Sequence, residues 1–368
     1  MDKEHIVQLD GIRFFAVSMV ILAHSVQWQW VQPWLTMLPL SQGVTLFFVL
    51  SGFLITKILL SNRDKYAAHN MGKSPLVKNF YIRRFLRIFP IYYLTIFFLY
   101  FIDYGNARAI FPWLVSYTTN IYQSVHSVGL ISFNHFWSLA VEEQFYLFWP
   151  WIILFVNRKY LAGIIISTIV AGILSKLYIF LFVQSWMAGA YFTLSCMHAL
   201  GLGALIAWIA LYRKPLFLQL SKYYWTYGSM IIYFILIWVQ HTYKIMWYKE
   251  IFEDFMFAIA SGFIVIRAAQ NKFTFLSRKI LEHPFVVYVG KISYGMYVYH
   301  LFMQPLFYYI SPHIGIMVTD KYSMFAFTYL LTFILAHISW KLIENPINNL
   351  KGKFPYFTAP GEASIRNS

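Results

Sequence analysis

The chain has 368 residues, of which 60% are hydrophobic and 12% charged, with a mean hydropathy of +0.58 and a formal net charge of +15. No cytosolic core needs 36 Phe, 28 Tyr and 13 Trp, so a soluble domain is excluded and a polytopic membrane protein is indicated. A single cysteine, Cys196, excludes an intrachain disulfide and a cysteine metal cluster.

Asp2, Glu4 and Asp10 lead directly into an apolar stretch with no small-residue cleavage site, which marks an uncleaved helix and not a signal peptide. About ten stretches are long enough to cross ~30 Å of hydrocarbon, which defines an all-α polytopic fold. They fall near residues 11–30, 40–60, 85–103, 136–156, 161–183, 189–211, 224–241, 250–267, 287–310 and 323–342. An even number places both termini on one side. Lys and Arg crowd 57–87, 158–159, 213–222, 267–291 and 341–366, whereas the alternate loops hold only Arg108, Lys244, Lys249 and Lys321. By the positive-inside rule the crowded side, with both termini, is cytoplasmic. The positive charge is therefore mainly a topology signal, with help from anionic headgroups, and nucleic acid is not an expected partner. One membrane domain, residues 1–345, and a short cytoplasmic tail, 346–368, are expected.

Arg13 and His24 bracket the first apolar stretch, eleven residues apart. At ~100° per residue they return to within about 20° of one direction, and the ~1.5 Å rise separates them by about 16 Å along one stripe. Ionisable groups inside a span point to function, although a snorkelling arginine and a packed histidine fit the spacing equally well. Arg83, Arg84 and Arg87 precede Pro90 and form a cationic face. Guanidinium forks suit phosphate oxygens, and the positive-inside rule also gathers arginines at such a mouth. The fourth stretch carries His135, Trp137, Ser138, Glu142, Glu143, Gln144 and Tyr146. Ser138, Glu142 and Tyr146 share the face of His135, Glu143 lies about 80–100° away and Gln144 lies opposite. Glu142 is thus the candidate interior carboxylate, able to orient a histidine or act as acid or base; a structural ion pair is the alternative.

In the ninth stretch Ser293, Tyr297, His300 and Gln304 align within about 60°, so three polar stripes outline a cavity. His337, Lys341 and Glu344 also align, but at the boundary, where an ion-pair anchor is expected. His198 is expected to be packed, and His5, His69, His126 and His241 to lie in loops. Ser51 beside Gly52 marks close helix packing, since no G-x-S-x-G elbow is present. Walker A and H-E-x-x-H patterns are absent, and no metal site is expected. On the outward loop 104–135, Trp113, Tyr117, Asn120 and Tyr122 suit stacking on sugar faces, although aromatics are expected at a membrane interface in any case.

The chain resembles the integral membrane acyltransferase family 3. The matching stretches are LDGIRFFAVSMVILAHS (9–25), FFVLSGFLI (47–55), RRFLRIFPIYY (83–93), NHFWSLAVEEQFYLFWP (134–150), ISYGMYVYH (292–300) and KLIENP (341–346). The resemblance implies a ten-helix enzyme of the bacterial cytoplasmic membrane. It would take an acyl group, typically acetyl, from cytoplasmic acyl-CoA to a hydroxyl of a cell-surface carbohydrate or glycolipid. It also implies His24 as the essential histidine and general base, Arg13 as its paired arginine and Glu142 as the first carboxylate of its block. Arg84 and Arg87, with Arg83, match the arginine element and would bind the coenzyme phosphates. Tyr297, His300, Asn120, Trp137 and Tyr146 are expected substrate contacts, with Tyr297 and His300 as candidate oxyanion stabilisers. Asn345 departs from the basic residue common in the closing block. No permanently bound cofactor is expected; acetyl-CoA or another acyl-CoA is the donor substrate, and membrane lipids are the surroundings. Direct transfer and an acyl-His24 intermediate both accord with the pattern. Some members carry a soluble esterase-like domain, none of which is expected here, so the chain would act alone or with a separate partner. A transporter or flippase of lipid-linked sugars is the alternative, and it would call for repeats or broken helices in matching halves.

Overall fold

The computed structural model describes residues 6–25, 38–315 and 321–358. Residues 26–30 of the first expected span, His5 and the last ten residues of the expected tail lie outside the described residues. The described chain is helical, with no strand. Its first half comprises α1 (Val7–Ser25), α2 (Gly43–Ala68), α3 (Ser74–Phe101), α4 (Ala107–Val115), α5 (Thr119–His126), α6 (Phe136–Phe155), α7 (Arg158–Tyr178) and α8 (Trp186–Tyr191). There follow α9 (Thr193–Tyr212), α10 (Lys214–Leu220), α11 (Tyr223–Tyr243), α12 (Glu253–Ala269) and α13 (Phe275–Leu281). The last are α14 (Pro284–Lys291), α15 (Ser293–Ile310), α16 (Lys321–Ser339) and α17 (Asn345–Asn349).

Among the described residues, six helical segments are long and apolar enough to cross a membrane: Val7–Ser25, Leu40–Ala68, Ser74–Phe101, Arg158–Val183, Trp186–Tyr212 and Ser323–Lys353. They support a multi-pass membrane protein. The other four expected stretches form α6, α11, α12 and α15, which are shorter or less apolar than these six. In α6 and α15 the difference has a chemical source, because Glu142, Glu143, His300 and Gln304 replace residues a lipid-facing helix would keep apolar.

Local chemistry sets several helix starts. Asn157 accepts the Lys159 amide at 3.1 Å to begin α7, Ser185 accepts the Ala188 amide to begin α8, and Pro284 sits at the first position of α14. Between helices, small residues set the closest approach. A Cβ on Gly52 would stand 2.0 Å from the Leu200 carbonyl oxygen, and one on Gly203 would stand 2.1 Å from that of Val49. The α2–α9 crossing is therefore a backbone-to-backbone contact that only glycine permits. The Gly52 side of the expected Ser51–Gly52 packing contact is present.

One apolar cluster gathers residues of α2, α6, α9 and α12, and a second gathers residues of α1, α3, α6 and α15. The hydroxyls of Tyr92 and Tyr93 donate to the carbonyls of Leu114 and Val115, both at 2.8 Å, and tie α4 onto α3. Beyond α17 the chain folds back on α3: Asn79 donates to the Pro355 carbonyl at 2.7 Å and the Tyr66 and Phe357 rings lie 5.5 Å apart.

Overpacking a tight contact costs about 1–3 kcal/mol. Gly52→Ala is therefore expected to lower the unfolding temperature of the detergent-purified protein, whereas Gly72→Ala, with nothing within 4 Å of the added Cβ, leaves it unchanged. Thermal-shift fluorescence of the two variants checks the contrast.

Candidate active site

Helices α1, α2, α3, α6 and α15 line a cavity of about 110 Å³. Its apolar lining comes from Val44, Phe47, Leu54, Ile88 and Leu139, and its polar lining includes Arg13, Ser51, Arg84, Arg87, Glu142, Glu143, Tyr146 and Tyr297. At its centre the Ser51 hydroxyl donates to Glu142 Oε1 at 2.7 Å, and Tyr146 donates to Glu142 Oε2 and to Ser51 Oγ, both at 3.0 Å. Arg84 lies over the Tyr146 ring at 5.2 Å. Both oxygens of a carboxylate in apolar surroundings thus receive hydroxyl donors.

A second cavity, of about 560 Å³, continues toward the end of the bundle where α1 and α3 begin and α2 ends. The two share Arg13, Leu54, Arg87 and Tyr294. In the second, five basic side chains, Arg13, Lys57, Arg87, Lys291 and Lys351, face two carboxylates, Asp10 and Glu344. Arg13 donates to Asp10 one turn earlier on α1. The charge excess at this mouth favours an anion.

The expected arginine trio divides. Arg84 and Arg87 line the first cavity, but Arg83 lines neither. Its guanidinium donates to the Lys351 carbonyl at 2.5 Å and the Phe354 carbonyl at 3.1 Å and covers the Tyr356 ring at 4.6 Å. The returning tail occupies its donors, a contact that periodicity on α3 cannot reveal. Lys57, Lys291 and Lys351, absent from the sequence-based candidates, take the corresponding place at the mouth; only their convergence from α2, α14 and the tail gives them meaning.

At the far end of α1 lies an imidazole cluster. His24 is exposed, and its Nδ1 lies 2.9 Å from the Val20 carbonyl and 3.2 Å from Nε2 of the buried His300. His135 packs edge-on to His300, with ring centroids 4.9 Å apart. Tyr297 stands between cavity and cluster: its hydroxyl bonds Ser138 Oγ and donates to the His135 carbonyl at 3.0 Å, and its ring is 5.4 Å from that of His300. His24 does not line the cavity, and Glu142 does not reach it, so the expected orientation of His24 by Glu142 is replaced by the contact with His300.

Other sequence-based candidates lie elsewhere. Asn120 is fully buried and donates to Thr193 Oγ1 at 2.8 Å while accepting from Gln144 at 2.9 Å. It is a strut between α5, α6 and α9 and is closed to substrate. Trp137 stacks on Tyr191 with centroids 4.6 Å apart, outside both cavities. Glu143, expected off the interior face, lines the first cavity because that cavity spans a wide arc of α6. Ser51, read as a packing residue, is a cavity residue; its partner Glu142 lies 91 positions away. His198 is buried, with Nδ1 2.6 Å from the Ser195 carbonyl. Lys341 is exposed while Glu344 accepts from Ser339 at 3.1 Å, so among the described residues the expected Lys341–Glu344 anchor does not form.

The family model described as an acyltransferase domain matches residues 6–341, and the chain belongs to that family, acyltransferase family 3. It is similar to the peptidoglycan O-acetyltransferase OatA of Listeria monocytogenes, with 28% identity over 96% of this chain and 57% of that protein. It is also similar to the O-acetyltransferase OatA of Staphylococcus aureus, with 27% identity over 92% of this chain and 56% of that protein. The chain thus spans less than three fifths of the length of these relatives. No solved structure matches.

Because Arg83 holds the tail and lines neither cavity, Arg83→Leu is expected to speed protease cleavage between residues 350 and 358 several-fold. Arg84→Leu, whose side chain lies over Tyr146, leaves that rate unchanged. Limited proteolysis followed by mass spectrometry distinguishes them.

Proposed function

We propose that the protein is a membrane O-acyltransferase. It moves an acyl group, acetyl first among candidates, from acyl-CoA to a hydroxyl of a cell-surface carbohydrate, with a peptidoglycan-type glycan as the leading acceptor class. The observation that carries this is the cavity itself, which opens among five basic side chains and ends at Tyr297 against the imidazoles of His300 and His135. Its support is the family and two relatives named O-acetyltransferases.

In this proposal the basic mouth faces the cytoplasm, both termini lie there, and the bundle crosses the bacterial inner membrane ten times, following the distribution of Lys and Arg. Lys57, Lys291, Lys351 and Arg87 hold the coenzyme phosphates, because ammonium and guanidinium groups pair with phosphate oxygens in a site partly closed to water. Arg13 and Arg84 continue the cationic path inward. Tyr297 swings aside to pass the thioester to His24. Imidazole changes protonation near neutral pH, which suits it to general base catalysis. His24 Nε2 removes the acceptor hydroxyl proton as that oxygen attacks the thioester carbonyl. The carbon–sulfur bond breaks, the ester forms, and the departing thiolate takes the proton back from His24.

General base catalysis contributes about 10²- to 10⁴-fold. Mass analysis of surface glycans from cells with the wild type, His24→Ala at matched membrane abundance, and a deletion is expected to show an added acyl mass only with wild type. Identical glycans in all three would remove the transferase assignment for this acceptor class.

At the mouth, a charge-assisted hydrogen bond is worth about 1.5–3 kcal/mol, or roughly 10- to 100-fold. Arg87→Leu is expected to raise KM for acetyl-CoA by that factor with a smaller change in kcat. Initial rates over a range of acetyl-CoA concentration check it, and an unchanged KM would take the phosphates elsewhere.

A further inference from the structure

The atoms around His300 fix which nitrogen of His24 is free. His300 is 2% exposed, and its Nδ1 lies 2.6 Å from the Tyr297 carbonyl one turn earlier on α15. A carbonyl only accepts, so that nitrogen carries the proton, and in the neutral ring Nε2 is an acceptor. His24 Nδ1 lies 3.2 Å from this acceptor and 2.9 Å from the Val20 carbonyl. Both neighbours accept, so His24 Nδ1 carries the proton and shares it between them. The neutral ring is then left with its lone pair on Nε2, the nitrogen away from His300.

His135 supports the arrangement from behind. Its Nε2 donates to the Val298 carbonyl at 3.0 Å, its Nδ1 is buried without a hydrogen-bond partner, and its ring meets that of His300 at 77°. The His300 ring is therefore confined by His135, Tyr297 and its own carbonyl bond.

We propose that His300 is the positioning residue for His24. It holds the general base in one tautomer and one ring orientation through the Nδ1–H to Nε2 hydrogen bond, as a carboxylate does in other base-orienter pairs. This role rests on the acyl-transfer function proposed above. When His24 Nε2 takes the proton of the acceptor hydroxyl, the ring becomes an imidazolium. Its Nδ1–H then donates to His300 as a charge-assisted bond, which is stronger than the neutral one. When the thiolate leaves, the proton passes from His24 Nε2 to sulfur and both rings return to the neutral state. His300 touches neither the thioester nor the hydroxyl.

The test measures transfer of radiolabelled acetyl from acetyl-CoA to glycan in permeabilised envelope preparations, with protein at matched membrane abundance. It compares wild type, His24→Ala, His300→Leu and His300→Gln. Glutamine places an amide oxygen near the position of Nε2 and keeps an acceptor for His24; leucine removes it. Loss of a hydrogen-bond partner to a group that becomes charged is expected to lower kcat about 10- to 100-fold in His300→Leu, with KM for acetyl-CoA within about twofold of wild type. His300→Gln recovers most of the loss. A rate in His300→Leu within threefold of wild type overturns the role, as does an equal loss in the leucine and glutamine variants, which is the signature of packing. A raised KM with kcat retained overturns it too. If His24→Ala is inactive and His300→Leu is active, only the role of His300 falls. If wild type transfers nothing, or His24→Ala matches it, the acyl-transfer function falls and this role with it.

Discussion

An ionisable group inside an apolar helix bundle must find its partners within the bundle, and the first cavity is built around meeting that condition for Glu142. Ser51 from α2 and Tyr146 from α6 donate to its two oxygens, and the Arg84 guanidinium lies over the Tyr146 ring from α3. Three helices are therefore bound to one polar centre, and none can shift without leaving a buried polar group unsatisfied. Opposed apolar walls would close on one another; walls carrying Arg13, Arg84, Arg87, Glu142 and Glu143 cannot pack dry and leave a channel. On its other side α2 meets α9 backbone to backbone at Gly52 and Gly203, the closest approach that glycine permits.

Helix α1 runs from the mouth of that channel to the imidazole cluster that lies beyond Tyr297, outside it. Its first turns carry Asp10 and Arg13 at the basic mouth, and its last carries His24 beside His300. An anion entering between Lys57, Lys291 and Lys351 meets positive charge first and the hydroxyls of Ser51, Tyr146 and Tyr297 after it. Charge falls and hydrogen-bonding capacity remains along the path, which suits a molecule charged at one end and reactive at the other. The returning tail contributes to the mouth through Lys351, whose carbonyl is held by Arg83. Arg83 thus shapes the entrance from outside it.

Much of this was legible in the sequence because helical periodicity sorts faces. The stripe of Arg13, the inward direction of Glu142 and Tyr146, and the alignment of Tyr297 with His300 all follow from ~100° per residue. What periodicity cannot supply is the partner on another helix. In sequence Ser51 looks like a packing residue because Gly52 beside it does pack; the carboxylate it meets is remote in the chain. Asn120 sits among loop aromatics in sequence and so suggests a sugar contact, yet Gln144 and Thr193 occupy its amide. Arg83 shared the cationic arc of Arg84 and Arg87, and a tail carbonyl separated them. The membrane spans divide in the same way: six are plain in length and hydropathy, while polar side chains on α6 and α15 dilute the signal where the site is built.

The separation of Glu142 from His24 also has an electrostatic logic. A carboxylate beside His24 would hold its charge through the whole cycle, at a desolvation cost that persists while the site is idle. His300 is buried against Tyr297 and His135, surroundings with little to solvate a permanent anion. In the proposed mechanism a neutral imidazole there accepts the Nδ1 hydrogen bond of His24 without that standing cost, and positive charge would arise only while the proton is in transit. The permanent charges are kept instead at the wide basic mouth, where carboxylates and water can share them. On the proposed function the fold would divide two tasks that a single ion pair combines: fixed charge for binding at one end, and a neutral hydrogen-bonded pair for the proton at the other.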